Sequence, residues 1–83
     1  MSFNSSFKPG YIEGVDLNDY KTTGGILVSS SCENIPIKRQ GALYILQADL
    51  HKALAVQLFV SIDMSLYIRC QVGDNWSNWK QLI

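Results

Sequence analysis

The sequence predicts a mostly β domain: a small antiparallel meander of 4–5 strands with a short helical turn or loop, preceded by an extended N-terminal arm. Three observations lead there. Residues 55–62 and 66–72 alternate their side chains with a period of two. The apolar runs are separated by short breaks rich in Gly, Asp, Asn and Ser. No segment keeps a helical period over three turns.

Residues 1–15 read as the arm. Phe3, Phe7 and Tyr11 are four apart, which would align them on a helix, but Pro9-Gly10 falls inside that span and opposes one. An arm with aromatic anchors that docks on a partner or neighbouring subunit competes with a floppy terminus. The β domain then covers residues 16–83. Asp16 or Asn18 caps a short turn through which Leu17 and Tyr20 pack inward. Thr22-Thr23-Gly24-Gly25 launches a first strand, Ile26-Leu27-Val28-Ser29. Residues 30–36 form a loop, and Gly41 ends the loop that follows. Ala42 to Gln47 is the second strand. The connector Asp49–Ala53 reads either as a one-turn helix or as a long hairpin connection.

The third strand, Ala55 to Ile62, puts Val56, Leu58, Val60 and Ile62 on one face and Gln57, Phe59 and Ser61 on the other. After the turn at Asp63-Met64-Ser65, the fourth strand repeats the pattern. Leu66, Ile68, Cys70 and Val72 point one way; Tyr67, Arg69 and Gln71 point the other. Gly73-Asp74-Asn75 turns into a short last strand from Trp76 to Ile83. In a continuous strand Trp76 and Trp79 would face opposite sides, whereas a bulge at Ser77-Asn78 would change that.

Composition narrows the function classes. The chain has 83 residues, seven basic and seven acidic, with 47% hydrophobic and 17% charged. It is one domain, burying roughly 60–65% of its unfolded surface. The charge balance argues against nucleic-acid binding through many phosphates. The start has no basic and apolar signal segment, and no apolar run approaches the ~20 residues of a membrane span. One histidine and two distant cysteines, Cys32 and Cys70, give no metal ligand set and no disulfide framework. Cys70, on the aliphatic pattern, reads as a buried free thiol, with a Cys32–Cys70 bridge as the lesser alternative.

Catalysis finds no support. His51 stands alone in the connector, none of the nine serines sits in a nucleophile elbow, and the acids are scattered in turns. Gly24-Gly25 lacks the lysine and helix of a phosphate loop. The chain is expected not to be an enzyme and to need no cofactor or metal. The face carrying Phe59, Tyr67 and Arg69 beside Gln57 and Gln71, with Trp76 and Trp79, has three open readings. Aromatic rings beside amide and guanidinium donors suit sugars. The same mixture suits a subunit interface. It also suits packing within the domain.

The ordered set Asp16-Leu17-Asn18-Asp19-Tyr20-Lys21-Thr22-Thr23-Gly24, Ser29 to Pro36, Gly41, Val56-Gln57, Tyr67-Ile68-Arg69 and Trp76-Ser77-Asn78-Trp79-Lys80-Gln81-Leu82 resembles the knob domain of R-type pyocin and phage tail fibres. The resemblance spans residues ~16–82. It implies a virion structural module, assembled in the bacterial cytoplasm as a homotrimer. Its partners would be other virion proteins and bacterial surface polysaccharide, with no nucleic acid and no membrane insertion. Leu17 would plug the base of the sheet, Asn34 and Pro36 would fix a loop, and Arg69 would stack between Tyr67 and a tryptophan. Gly25 and the helix-friendly connector depart from the pattern. Such knobs are segments of long fibres; were this chain the whole gene product, it would be a free-standing knob attached by its arm. A non-enzymatic carbohydrate-binding module and a depolymerase fragment are the alternatives.

Overall fold

Strand alternation builds the sheet. The computed structural model describes residues 7–47 and 54–83; Phe3, His51 and the Asp49–Ala53 connector lie outside the described residues. The strands are β1 (Phe7–Ile12), β2 (Gly24–Val28), β3 (Gly41–Gln47), β4 (Leu54–Ser61), β5 (Leu66–Val72), β6 (Asn75–Trp76) and β7 (Lys80–Gln81). The predicted antiparallel meander is β2-β3-β4-β5. In the tight turn between β4 and β5, Met64 takes a left-handed φ of 72°. There the Asp63 carboxylate accepts from the Ser61 hydroxyl and the Ser65 N–H.

Two features go beyond the predicted meander. Residues 7–12, read from sequence as part of the arm, form β1, which pairs parallel with β2 at the edge of this chain's own sheet. The register slips between Phe7 and Tyr11, where Pro9 has no N–H to give the ladder. At the opposite edge the last strand is interrupted: β6 pairs with the end of β5 and β7 with its start.

One face of the sheet is covered by two connections too long to be turns, residues 13–23 and 29–40. In the first, Leu17–Asp19 forms a 3-10 turn capped by the Asp16 carboxylate, which accepts from the Asn18 N–H at 2.8 Å. The connections hold each other: Leu17 N–H donates to the Glu33 carbonyl at 3.1 Å, and Glu33 N–H to the Val15 carbonyl at 2.8 Å. Beneath them lie Leu17, Val28, Cys32, Leu43, Ile45, Phe59 and Tyr67, with Ile35, Ile37 and Trp79 packed around the margin.

This cover decides which side of the alternation is inside. Gln57, Phe59, Ser61, Tyr67, Arg69 and Gln71 are buried, whereas Val56, Leu58, Val60, Leu66, Ile68 and Cys70 are only half-buried and Val72 is exposed. The mixed aromatic and amide face is therefore the core, and the aliphatic face is the open one. Cys70 is accordingly half-exposed, contrary to its reading as a buried thiol; Cys32 is the buried cysteine, and both are free.

Candidate functional site

Arg69 organises the inner face. It stands opposite Gln57 in the β4–β5 ladder, so both side chains rise on the same side. Arg69 Nε donates to Gln57 Oε1 at 2.8 Å. Gln57 Nε2 in turn donates to the carbonyls of Leu17 at 2.6 Å and Tyr20 at 2.8 Å. The Leu17 carbonyl also accepts from the Tyr20 N–H at 3.1 Å, so the Gln57 amide adds a second donor there and ties the covering turn to the sheet. Arg69 is 5% exposed. Burial pushes its pKa down to about 10, against the pull of the Asp16 charge, so it stays cationic at neutral pH. The Asp16 carboxyl is held below the usual range by the hydrogen bonds from the Asn34 side chain, at 2.7 Å, and the Asn18 N–H.

The interruption at the sheet edge brings both tryptophans to this cation. Four steps along the closing strand, from Trp76 to Lys80, span three along β5, from Gln71 to Ile68. Ser77 fills the bulge, its N–H donating to the Cys70 carbonyl and its Oγ accepting from the Cys70 N–H. With one residue extra, Trp76 and Trp79 end on the same side. The guanidinium carbon of Arg69 lies 4.2 Å from the Trp76 ring centre and 4.6 Å from that of Trp79. The second tryptophan, rather than Tyr67, is thus the other stacking partner. Trp79 also donates from Nε1 to the Asn34 carbonyl at 2.8 Å and meets Phe59 edge-on, with ring centres 6.3 Å apart.

Of the residues singled out from sequence, Phe59, Tyr67, Arg69, Trp76 and Trp79 thus form one cluster. Phe59 is wholly buried and Tyr67 nearly so, with centroids 6.4 Å apart; both pack within the chain. Trp76 and Trp79 are half-buried, and beside them opens a polar hollow of about 410 Å³ whose walls include Asn18, Asn34, Arg69 and Asn78. The sequence reading did not assign Asn18 to this wall. Among the arm residues, Phe7 lies on β1, and Tyr11, paired with Leu27, is 43% exposed on the aliphatic face.

That aliphatic face is the second candidate surface. Leu27, Leu46 and Val72 are 54%, 60% and 65% exposed, around the half-buried centre Tyr44, Val56, Leu58 and Ile68. A groove of about 290 Å³ runs between Tyr44, Leu46, Val56 and Leu58. Among the described residues no His, Cys, Asp or Glu group could hold a metal, and no helix is long and apolar enough to cross a membrane.

No family model matches the sequence, and no curated protein matches it. Solved structures do. The C-terminal part of the R1 pyocin fibre of P. aeruginosa matches at a TM-score of 0.82 with 25% identity, over 100% of this chain and 24% of that one. The corresponding part of the R2 pyocin fibre of P. aeruginosa matches at 0.81 with 26% identity, over 100% of this chain and 25% of that one. An N-truncated R2-type pyocin tail fibre matches at 0.80 with 27% identity, over 94% and 34%. The chain spans about a quarter to a third of the fibre segments it matches. Fold and motifs agree that this chain is similar to a structural domain of the pyocin tail fibres.

Proposed function

We propose that the domain is a virion structural part that trimerises through its aliphatic sheet face and helps attach a tail fibre to bacterial surface polysaccharide. The observation that carries the assembly reading is the inversion of the sheet: Gln57 and Arg69 lie inside while Leu27, Leu46 and Val72 stay in solvent. A continuous apolar patch across five strands is uncommon on a monomer. Removing each large aliphatic side chain from water is worth about 1.5–3 kcal/mol. The face is nearly all apolar, with Lys80 at its β7 edge opposite Ile68, so copies of it meet with little like-charge repulsion, and three copies accord with the tail-fibre likeness. Tyr11 widens the face at β1, and the arm residues Phe3, Phe7 and Tyr11 would extend the contact to a neighbouring subunit or another virion protein. The role is non-enzymatic, with the virion as its place and the bacterial cytoplasm as its site of assembly.

Leu58→Lys tests this. Leu58 is half-buried at the centre of the face, so a lysine can reach solvent in a single chain and the fold should survive. Light scattering after size-exclusion chromatography should give three chains for the native protein and one for the variant, with matching circular dichroism. A native monomer would refute the assembly reading; a native dimer would refute the three-fold one.

A further inference from the structure

We infer that the polar hollow beside Arg69 is a saccharide site, reading sugar hydroxyls through the Arg69 guanidinium and the Asn18 side-chain oxygen. The inference rests on the polysaccharide-attachment reading above and supplies its residues and its ligand chemistry.

Two buried polar atoms carry it. Arg69 Nη2 and Asn18 Oδ1 are both shielded within the fold and have no hydrogen-bond partner there. Both residues wall the same hollow. Other donors at the wall are satisfied, Arg69 Nε by Gln57 and Trp79 Nε1 by the Asn34 carbonyl, while a third unpartnered buried atom, Gln71 Oε1, belongs to a residue opposite Trp76 that does not wall the hollow. Unpaired buried groups of this kind cost stability, and two that belong to the walls of one hollow can be satisfied by a molecule held in it.

The pair also states what that partner must be. Arg69 Nη2 can only donate, and Asn18 Oδ1 can only accept. A carboxylate, sulfate or phosphate would satisfy the first and leave the second bare. It would also bring negative charge towards Asp74 on the wall and Asp16 behind it. An ammonium group would satisfy the second and face the Arg69 charge. Hydroxyls both accept and donate, and a sugar ring holds several in fixed positions. Its C–H surface suits the half-buried rings of Trp76 and Trp79 at the same wall. The volume of about 410 Å³ lies in the range of small-ligand pockets.

The test uses the full chain on an array of immobilised neutral and acidic bacterial oligosaccharides, with the native protein beside Asn18→Ala. Asn18 takes its cap through the backbone N–H, which the substitution keeps, and its side-chain oxygen bonds nothing, so the variant should melt no lower than the native chain. The expected result is binding of a neutral oligosaccharide that falls at least about tenfold in Asn18→Ala, with the indole N–H resonances of Trp76 and Trp79 shifting on its addition to the native protein. Equal binding by the two proteins would remove the site from this hollow while leaving polysaccharide attachment standing. Binding confined to acidic sugars and displaced by inorganic sulfate would overturn the hydroxyl chemistry. Native protein that binds no saccharide on the array would overturn both this site and the attachment reading.

Discussion

Gln57→Leu is expected to destabilise the domain heavily although it places an apolar residue in the core. Leucine keeps most of the volume, so the cavity contribution is small. The loss is in hydrogen bonds: two from Nε2 to the Leu17 and Tyr20 carbonyls and one from Arg69 Nε. A neutral bond contributes about 1 kcal/mol and one to a charged group about 2 kcal/mol, giving about 4 kcal/mol in all. Added apolar burial offsets about 1 kcal/mol. The net of about 3 kcal/mol is a large share of the ~5–15 kcal/mol that holds a small domain. With a urea m-value of about 1 kcal/mol/M, the unfolding midpoint should fall by about 3 M at fixed protein concentration. Adding Arg69→Met removes the stranded cation, so the double variant should be less destabilised than the sum of the single ones by about 1–2 kcal/mol. A Gln57→Leu midpoint equal to or above the native one would refute the reasoning, since the amide would then not be the tie between turn and sheet.

Two further outcomes follow from the same geometry. A Cβ on Gly41 would run into the Val60 backbone carbonyl and lie 2.7 Å from the ring of the fully buried Phe59, so Gly41→Ala should cost about 1–3 kcal/mol by chemical denaturation, more than an ordinary glycine replacement in a strand. The Asp16 carboxyl has a folded pKa below its ordinary value of 3.8, so its contribution is present above that pH and is lost as pH falls through the folded value. Asp63 is depressed in the same direction, chiefly by the Ser61 hydroxyl. Thermal melts between about pH 5 and pH 2 should therefore fall with acidification, and Asp16→Asn should show a shallower fall than the native chain.

The parts of the fold legible in the sequence were those set by near neighbours. Alternation over Ala55–Ile62 and Leu66–Val72 and the turn at Asp63–Ser65 specify a hairpin locally. Leu17 in a capped turn and Asn34 in a fixed loop were legible through the motif they belong to; Asn34 indeed takes φ 59°, which few other residues tolerate. Three things were not. A parallel β1 needs a partner reached across residues 13–23, and no local pattern announces it. The bulge at Ser77-Asn78 was an open alternative that the sequence could not decide, since a shift of one residue is enough to move Trp79 to the side of Trp76 and Arg69. Alternation separates two faces without saying which is inside; here that was decided by the connections 13–23 and 29–40, the first of which takes two hydrogen bonds from the Gln57 amide. Their lengths were the available signal, because such long connections must lie across a face.

The most direct measurement is thiol labelling of Cys70, which sits half-exposed on the aliphatic face, with buried Cys32 as the internal standard. If that face is where copies meet, Cys70 should react slowly with a maleimide in the native protein and many-fold faster in Leu58→Lys, while Cys32 stays slow in both. Equally fast labelling of Cys70 in the two proteins would mean that the aliphatic face is open in the native state, which contradicts the account.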